Sequence, residues 1–375
     1  MTTTPDYLII GGGIVGCSLA LELARAGASV VVLERGAVGC ASSSAAAGLL
    51  APTFGPSPPG PLQVLCQRGA LLYREWLDEL HADGAQDVGY RQTGLLTVCL
   101  DASEAAQVRG LLSTEAFPGR RAEWLDAGQL RAREPALCDR VLGAGFYPDD
   151  CHLDPAFLVR ETGRAAAMRG VEVREHEPVM QLDREGTRLV AVHTERQTYR
   201  PQCVVVAAGA WSGALAATLG LKLPTRPVKG QMLMAECAQL PVQTPLHAGN
   251  ALLIPWPDGR LAIGVTVEEA GFDDRVRLDS LRQILNRVIE LVPSVGGLAL
   301  SHAWAGLRPA TPNDWPYMGP VPTFDNVWIS AGHYRKGTLL APICARLLAK
   351  SLLAGRLVEE LAAFHPGDAQ SHPTS

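Results

Sequence analysis

The stretch "DYLIIGGGIVGCSLALELARAGASVVVLERG", residues 6–36, decides the fold. Residues 7–10 are apolar and read as a short buried strand. Residues 14–26 have helical spacing and stop at Gly27, and "SVVVL" at 29–33 is a second, β-branched strand. Strand, helix and strand in this order form a crossover unit, whose strands must run parallel. Gly11, Gly13 and Gly16 occupy the turn into the helix. Gly11 permits the tight turn, Gly13 lets backbone approach a phosphate, and Gly16 lets helix and strand pack closely. The helix start at Ile14 and Val15 then offers free N–H groups and a positive dipole end to a pyrophosphate. Glu34 closes the second strand 18 residues after Gly16 (34 − 16). A carboxylate there accepts hydrogen bonds from an adenosine ribose and disfavours a 2′-phosphate. Three spaced glycines alone are weak evidence. With a strand before them, a helix after and the acid in place, dinucleotide binding outweighs a structural turn with a surface Glu.

Outward from this unit the chain changes character. "ASSSAAAGLLAP" at 41–52 has almost no bulk, so its backbone can approach something flat or charged. "PSPPGP" at 56–61 reads as a rigid connector, 65–80 as a helix and 93–100 as a strand. Asp154 and Pro155 mark a helix start, an N-cap acceptor followed by proline in the first turn, and Gly170 ends that helix. "VEVREHEPVMQL" and "TRLVAVHTE" read as strands, and "CVVVAAGAWS" at 203–212 as an apolar strand entering a glycine turn. Asp258-Gly259 is the turn of a hairpin, residues 278–292 are helical, and the strand before "GHYRKG" leads to a helix from about Thr338. Elements of one α/β domain thus occur early, midway and late, with β-rich segments between. This pattern predicts a discontinuous two-domain protein.

The 375 residues, 47% of them hydrophobic, suffice for a large core. A net charge of −5 and the lack of any Lys/Arg run argue against a nucleic-acid-binding protein. The nine cysteines are scattered with no C-x-x-C pair, which points to reduced thiols in a cytoplasmic protein and to no metal site. No basic leader and no apolar run long enough to span a bilayer is legible, so the expectation is a cytoplasmic enzyme without a membrane span. Whether the dinucleotide is NAD or FAD stays open on spacing alone, although the small-residue stretch and the distant "VVVAAGAWS" suggest a longer, more enclosed ligand.

Taken together, the opening unit, "ASSSAAAGLLAP", "VVVAAGAWS", "GRLAIGVTVEEAGFD", "WAGLRPATPNDWPYMG" and "AGHYRKGTLLAP" resemble the D-amino acid oxidase superfamily. The glycine oxidase group associated with thiamine biosynthesis is the most similar, and the motifs run in the family's order from Tyr7 to about Gly355. The resemblance implies a mixed α/β and α+β architecture. A Rossmann-like FAD-binding domain would take residues 1–60, 146–220 and 300–365. A substrate domain with a large antiparallel sheet would take 61–145 and 221–299, leaving a frayed tail at 366–375. It implies non-covalent FAD, because the stretch where related monomeric sarcosine oxidases tether flavin is here "RPATPNDWPYMG", without Cys. The cofactor contacts it implies are Gly11, Gly13, Ile14, Val15, Gly16, Glu34 and Arg35 in the opening unit. Ser42, Ser43, Ala46, Ala47, Gly48 and Leu50 follow in the small-residue stretch. Further contacts are Val179, whose strand backbone would meet adenine, then Ala208, Gly209 and Trp211, and Arg308. The last are His333, Tyr334, Arg335, Lys336, Gly337 and Thr338 in the flavin-facing turn.

Arg308 matches the position that pairs with the substrate carboxylate. The chemistry suits it, since a guanidinium forms a bidentate fork on a carboxylate and keeps its charge. Arg335 matches a second active-site arginine. Leu252 and Val267 fall in the pocket where members often carry Tyr and Met, which implies a more apolar site; Trp256 stands where Arg is frequent. Lys336 stands where Asn is common and reads as a solvated side chain, with added charge near the flavin as the alternative. His333 reads as a packed turn residue, not a base. The implied reaction is oxidative deamination of glycine or a small amino or N-alkyl amino acid. Hydride passes from the α-carbon to flavin N5, giving an imine and then the 2-oxo acid, with oxygen as acceptor. The alternatives are a dehydrogenase passing electrons to a quinone or partner subunit, an inactive flavin-binding module, and an NAD-dependent dehydrogenase. The resemblance also admits a homo-oligomer, although no interface is legible.

Overall fold

The computed structural model of the chain describes residues 2–52, 60–113 and 120–367. Strand Tyr7–Ile10, helix Ile14–Arg25 and strand Val30–Leu33 follow in order, and the strands pair in parallel from Tyr7 beside Val30 to Ile10 beside Leu33. Gly11 has a φ of +121°, and a Cβ on Gly16 would overlap the Gly11 carbonyl oxygen. Only glycine lets the helix cross so close to the turn. Cys203–Val206 adds to one side of this pair and Glu172–Arg174 to the other, both parallel. Val327–Ala331 extends the sheet in parallel, and Tyr317–Pro320 closes it antiparallel. All four residues of "VVVL" are buried, as a parallel strand covered on both faces requires.

The strand expected from "VEVREHEPVMQL" is two strands in different sheets. Glu172–Arg174 is only three residues long, because His176 adopts a φ of +54° and Pro178 has no N–H to give a ladder. Gln181–Glu185 pairs instead with Arg188–His193 in a separate four-stranded sheet.

The second sheet has eight strands. It is antiparallel at every junction but one, Leu246–Ala248 beside Leu95–Cys99. Side chains alternate across it. Leu233, Leu253 and Ile263 pack with Ile284, Val288 and Leu291 of helix Leu278–Leu291. Met232, Leu252 and Ala262 face the other way, onto Ala47 and Leu49 of the small-residue stretch. The two sheets meet there.

Two segments pack differently from the expected domains. Helix Pro61–Ala82, expected with the substrate domain, lies in the core of the parallel sheet, where Tyr73 and Trp76 pack with Leu339, Leu340 and Ile343 of helix Gly337–Leu353. Pro342 inside that second helix lacks the N–H that would bond Thr338, and the Tyr73 hydroxyl donates to the Thr338 carbonyl instead, at 3.0 Å. Strand Ala299–Ala310, expected largely in the FAD-binding domain, pairs along its length with Arg226–Glu236 at the edge of the eight-stranded sheet. The 337–354 stretch is long and apolar enough to cross a membrane by composition, yet 67% of it is buried inside the fold. Residues 56–59 of the expected connector and the tail from 368 lie outside the described residues.

Candidate active site

A cavity of about 500 Å³ lies where the two sheets meet. Gly11, Gly13, Ile14 and Val15 line it at the first turn, while Gly16 faces the Gly11 carbonyl and not the cavity. Gly13 caps the helix without a side chain, and the Ile14 N–H donates to the Ser43 hydroxyl at 2.9 Å. Glu34 also lines the cavity. Its carboxylate accepts from the Gly12 and Gly36 N–H groups at 2.7 and 2.9 Å. Those bonds pin it at the strand end and leave lone pairs for a ribose hydroxyl. Arg35 lies 3.7 Å over the Trp211 ring, and both line the cavity with Ala208 and Gly209. Val179 lines it too, but from the loop after Glu172–Arg174, not from a strand.

The small-residue stretch covers the next part through Ser42, Ser43, Ala46, Ala47 and Gly48, with the Ser42 hydroxyl donating to the Leu307 carbonyl. Leu50 is a correction. In strand Leu49–Leu50 the side chains alternate, so Leu49 meets the cavity and Leu50, 2% exposed, enters the core.

His333, Tyr334, Arg335, Gly337 and Thr338 close the far part. Helix Gly337–Leu353 starts there with no side-chain cap, so its N–H groups face the cavity uncapped. His333 is 3% exposed and its Nε2 has no hydrogen-bond partner among the described residues. Burial pushes its imidazole down to about 4, so it is neutral at ordinary pH. Lys336 is a second correction. It does not line the cavity and is not solvated: its ammonium lies 3.5 Å from the Pro52 carbonyl, and burial lowers its pKa. Among the described residues, no cysteine lines the cavity.

This donor set fits FAD. Two uncapped helix starts, a ribose-competent carboxylate at a strand end and an orphaned buried imidazole nitrogen all border one space.

Arg308 enters from strand Ala299–Ala310, opposite Val228. Its Nη1 donates to the Lys229 carbonyl at 3.3 Å and its Nη2 to the Thr266 carbonyl at 3.2 Å. The guanidinium lies against Gly230, where any Cβ would overlap it. Burial, then the nearby Arg335 charge, lowers Arg308 to about 10, still cationic at neutral pH. Met232, Leu252 and Val265 make the wall beside it. Val267 is the third correction. The pairing of strand Arg260–Gly264 ends at Gly264, alternation stops, Val265 turns onto the cavity and Val267 is 53% exposed. Trp256 is buried beneath Arg260, 4.4 Å from its ring, and does not reach the cavity. Gly230, Met232 and Glu177 also line it and were not legible, because cross-strand register and loop packing put them there.

The chain matches, over residues 6–351, the family described as FAD dependent oxidoreductase. The "Bifunctional protein ThiO/ThiG" of Synechocystis sp. is 34% identical over 98% of this chain, which spans 54% of that longer protein. The "Glycine oxidase" of Bacillus licheniformis is 31% identical, with 95% of each protein covered. The crystal structure of glycine oxidase from Geobacillus kaustophilus is similar with a TM-score of 0.92 at 31% identity, over 97% of this chain and 98% of that one.

Proposed function

The chain belongs to the family of FAD-dependent oxidoreductases, and from that premise we propose that it oxidises glycine or a small amino or N-alkyl amino acid at the α-carbon, with oxygen as acceptor. The product is an imine, which water converts to the 2-oxo acid. Bound FAD supplies the two-electron oxidant. Ile14, Val15, Glu34, Arg35 and the Gly337 helix start are the groups that would hold it.

Arg308 carries the reading. A partly buried guanidinium, tied to two backbone carbonyls, keeps its Nη groups in one plane and offers its charge to the cavity. No carboxylate of the described chain forms an ion pair with it. A substrate carboxylate there gains a charge-assisted bond in a poorly hydrated site, which fixes the α-carbon in one place. Met232, Leu252 and Val265 exclude water from the imine as it forms. His333 is buried, and burial lowers its pKa to about 4, which makes it a weak base; the arrangement works by placement.

The test is anaerobic addition of glycine, sarcosine, D-alanine and D-proline to the yellow protein. Bleaching by one of them is expected, followed by rapid recolouring in air; slow recolouring would mark a dehydrogenase. Arg308→Met should lower kcat/KM by about 100-fold or more, the scale of one charged pair lost from a desolvated site. A flavin that none of these amines bleaches would overturn the reading.

A further inference from the structure

Two backbone carbonyls hold Arg308, and both depend on one segment that leaves the sheet and returns to it. Strand Arg260–Gly264 pairs with strand Arg226–Glu236 as far as Gly264 beside Met232. Pairing resumes at Glu268 beside Lys229, four residues on along one chain (268 − 264) and three back along the other (232 − 229). The returning segment therefore carries one extra residue. The Thr266 carbonyl that accepts from Arg308 Nη2 lies inside this irregular stretch. The Lys229 carbonyl that accepts from Arg308 Nη1 also accepts from the Glu268 N–H, at 2.9 Å. Where the ladder is broken, side chains must fix the backbone. Gln231 does so from a fully buried position that does not line the cavity. Its N–H donates to the Thr266 hydroxyl at 3.0 Å and its Nε2 to Glu268 Oε1 at 2.6 Å, while its Oε1 accepts from the Arg277 N–H at 2.6 Å. Burial opposes charge on Glu268, yet hydrogen bonds from Thr266, Gln231 and Ser280, with the Lys229 ammonium, hold its carboxyl below the ordinary value. Glu268 is thus a carboxylate, and the bond it accepts from Gln231 is charge-assisted.

We propose that Gln231 is a positioning residue for the substrate carboxylate: by clipping residues 266–268 to its own strand, it fixes both carbonyls that aim the Arg308 guanidinium. This rests on the reading that Arg308 holds that carboxylate. A bidentate fork needs both Nη groups in the plane of the carboxylate, so a small rotation of the guanidinium costs one of its two bonds. Without the clip the Thr266 carbonyl can turn, and Arg308 turns with it. The regular pairing of Arg260–Gly264 does not use the Gln231 side chain, so the loss falls on carboxylate recognition and spares the fold.

Binding can be read apart from turnover with (methylthio)acetate and its neutral amide, 2-(methylthio)acetamide, each titrated into the holoenzyme and followed by the flavin absorbance. The unaltered protein should prefer the acid. Gln231→Met, similar in length but without the amide, should lower the ratio of acid to amide affinity by about tenfold or more, with flavin content and amide affinity kept. Thr266→Val, which retains the Gln231 amide and loses one tie, should lower the ratio less. Gln231→Glu combined with Glu268→Gln reverses the donor and acceptor of the clip and should restore much of the preference. A merely structural amide would weaken acid and amide alike. A ratio that survives Gln231→Met would overturn the proposal, as would a ratio untouched by Thr266→Val if Gln231→Met sheds its flavin. No preference for the acid in the unaltered protein would overturn the carboxylate role of Arg308 and this proposal with it. If the preference depends on Gln231 but no amine bleaches the flavin, the oxidase reading fails and the clip stands.

Discussion

A single missing side chain sets the position of Arg308. Gly230 lies across the ladder from Gly306, two residues along from the Val228–Arg308 pair, and the guanidinium occupies the space a Cβ would fill. Gly230→Ala must push it off the Lys229 and Thr266 carbonyls. We expect KM to rise roughly tenfold or more while the strand pairing survives, measured as steady-state kinetics beside a far-ultraviolet spectrum. An unchanged KM would show that Arg308 tolerates displacement. At this scale the sequence was uneven. Arg308 stood out because an arginine in "AGLRP" has no acid nearby along the chain. Gly230 did not, because its importance comes from a residue 78 positions away (308 − 230) brought close by antiparallel register. Leu50 was misplaced because a slip of one residue at a strand end moves a side chain to the other face, and Val267 because it lies beyond Gly264, where pairing and alternation stop.

The opening strand, turn and helix were legible because each constraint is local: β-branched run, spaced glycines, helical period. The same holds for Asp154, whose carboxylate accepts from the Ala156 and Phe157 N–H groups at 3.0 Å each, with Pro155 following. A change inside such a unit should act on the whole element. Gly16→Ala places a methyl on the Gly11 carbonyl and must separate helix from strand. Purified Gly16→Ala protein should carry much less FAD than the unaltered chain, scored by the ratio of visible to protein absorbance; full flavin content would refute the close-packing argument. Helix Pro61–Ala82 marks where legibility stopped. Its period announces a buried face, yet nothing in the period names the partner, and tertiary packing chose helix Gly337–Leu353.

Across the whole molecule, imidazoles taken out of water tie stability to pH. Burial holds His152 and His333 down at about 4, against an ordinary value of 6.5, and lowers His247 as well. Between those values the unfolded chain binds protons that the folded one refuses. Stability is therefore fully present above about 6.5 and falls as pH drops toward 4, by up to roughly 3 kcal/mol per histidine. Melting temperatures of the unaltered protein should fall more steeply over that window than those of His152→Gln, where one of these groups is gone; parallel curves would count against it. The division into bodies was legible only in outline, since contacts between distant segments set it. The parallel sheet draws on residues 7–10, 172–174, 203–206 and 317–331, and the cavity takes its last lining residue from Thr338. On a ribosome, the glycine turn is therefore made early and waits. Until residue 338 has emerged, the cavity lacks the last of the segments that enclose its ligand, so the cofactor is captured only after that residue has been made. A nascent chain stalled before that point would be recognisable by its apolar strands, open to chaperones and proteases, and by its lack of colour.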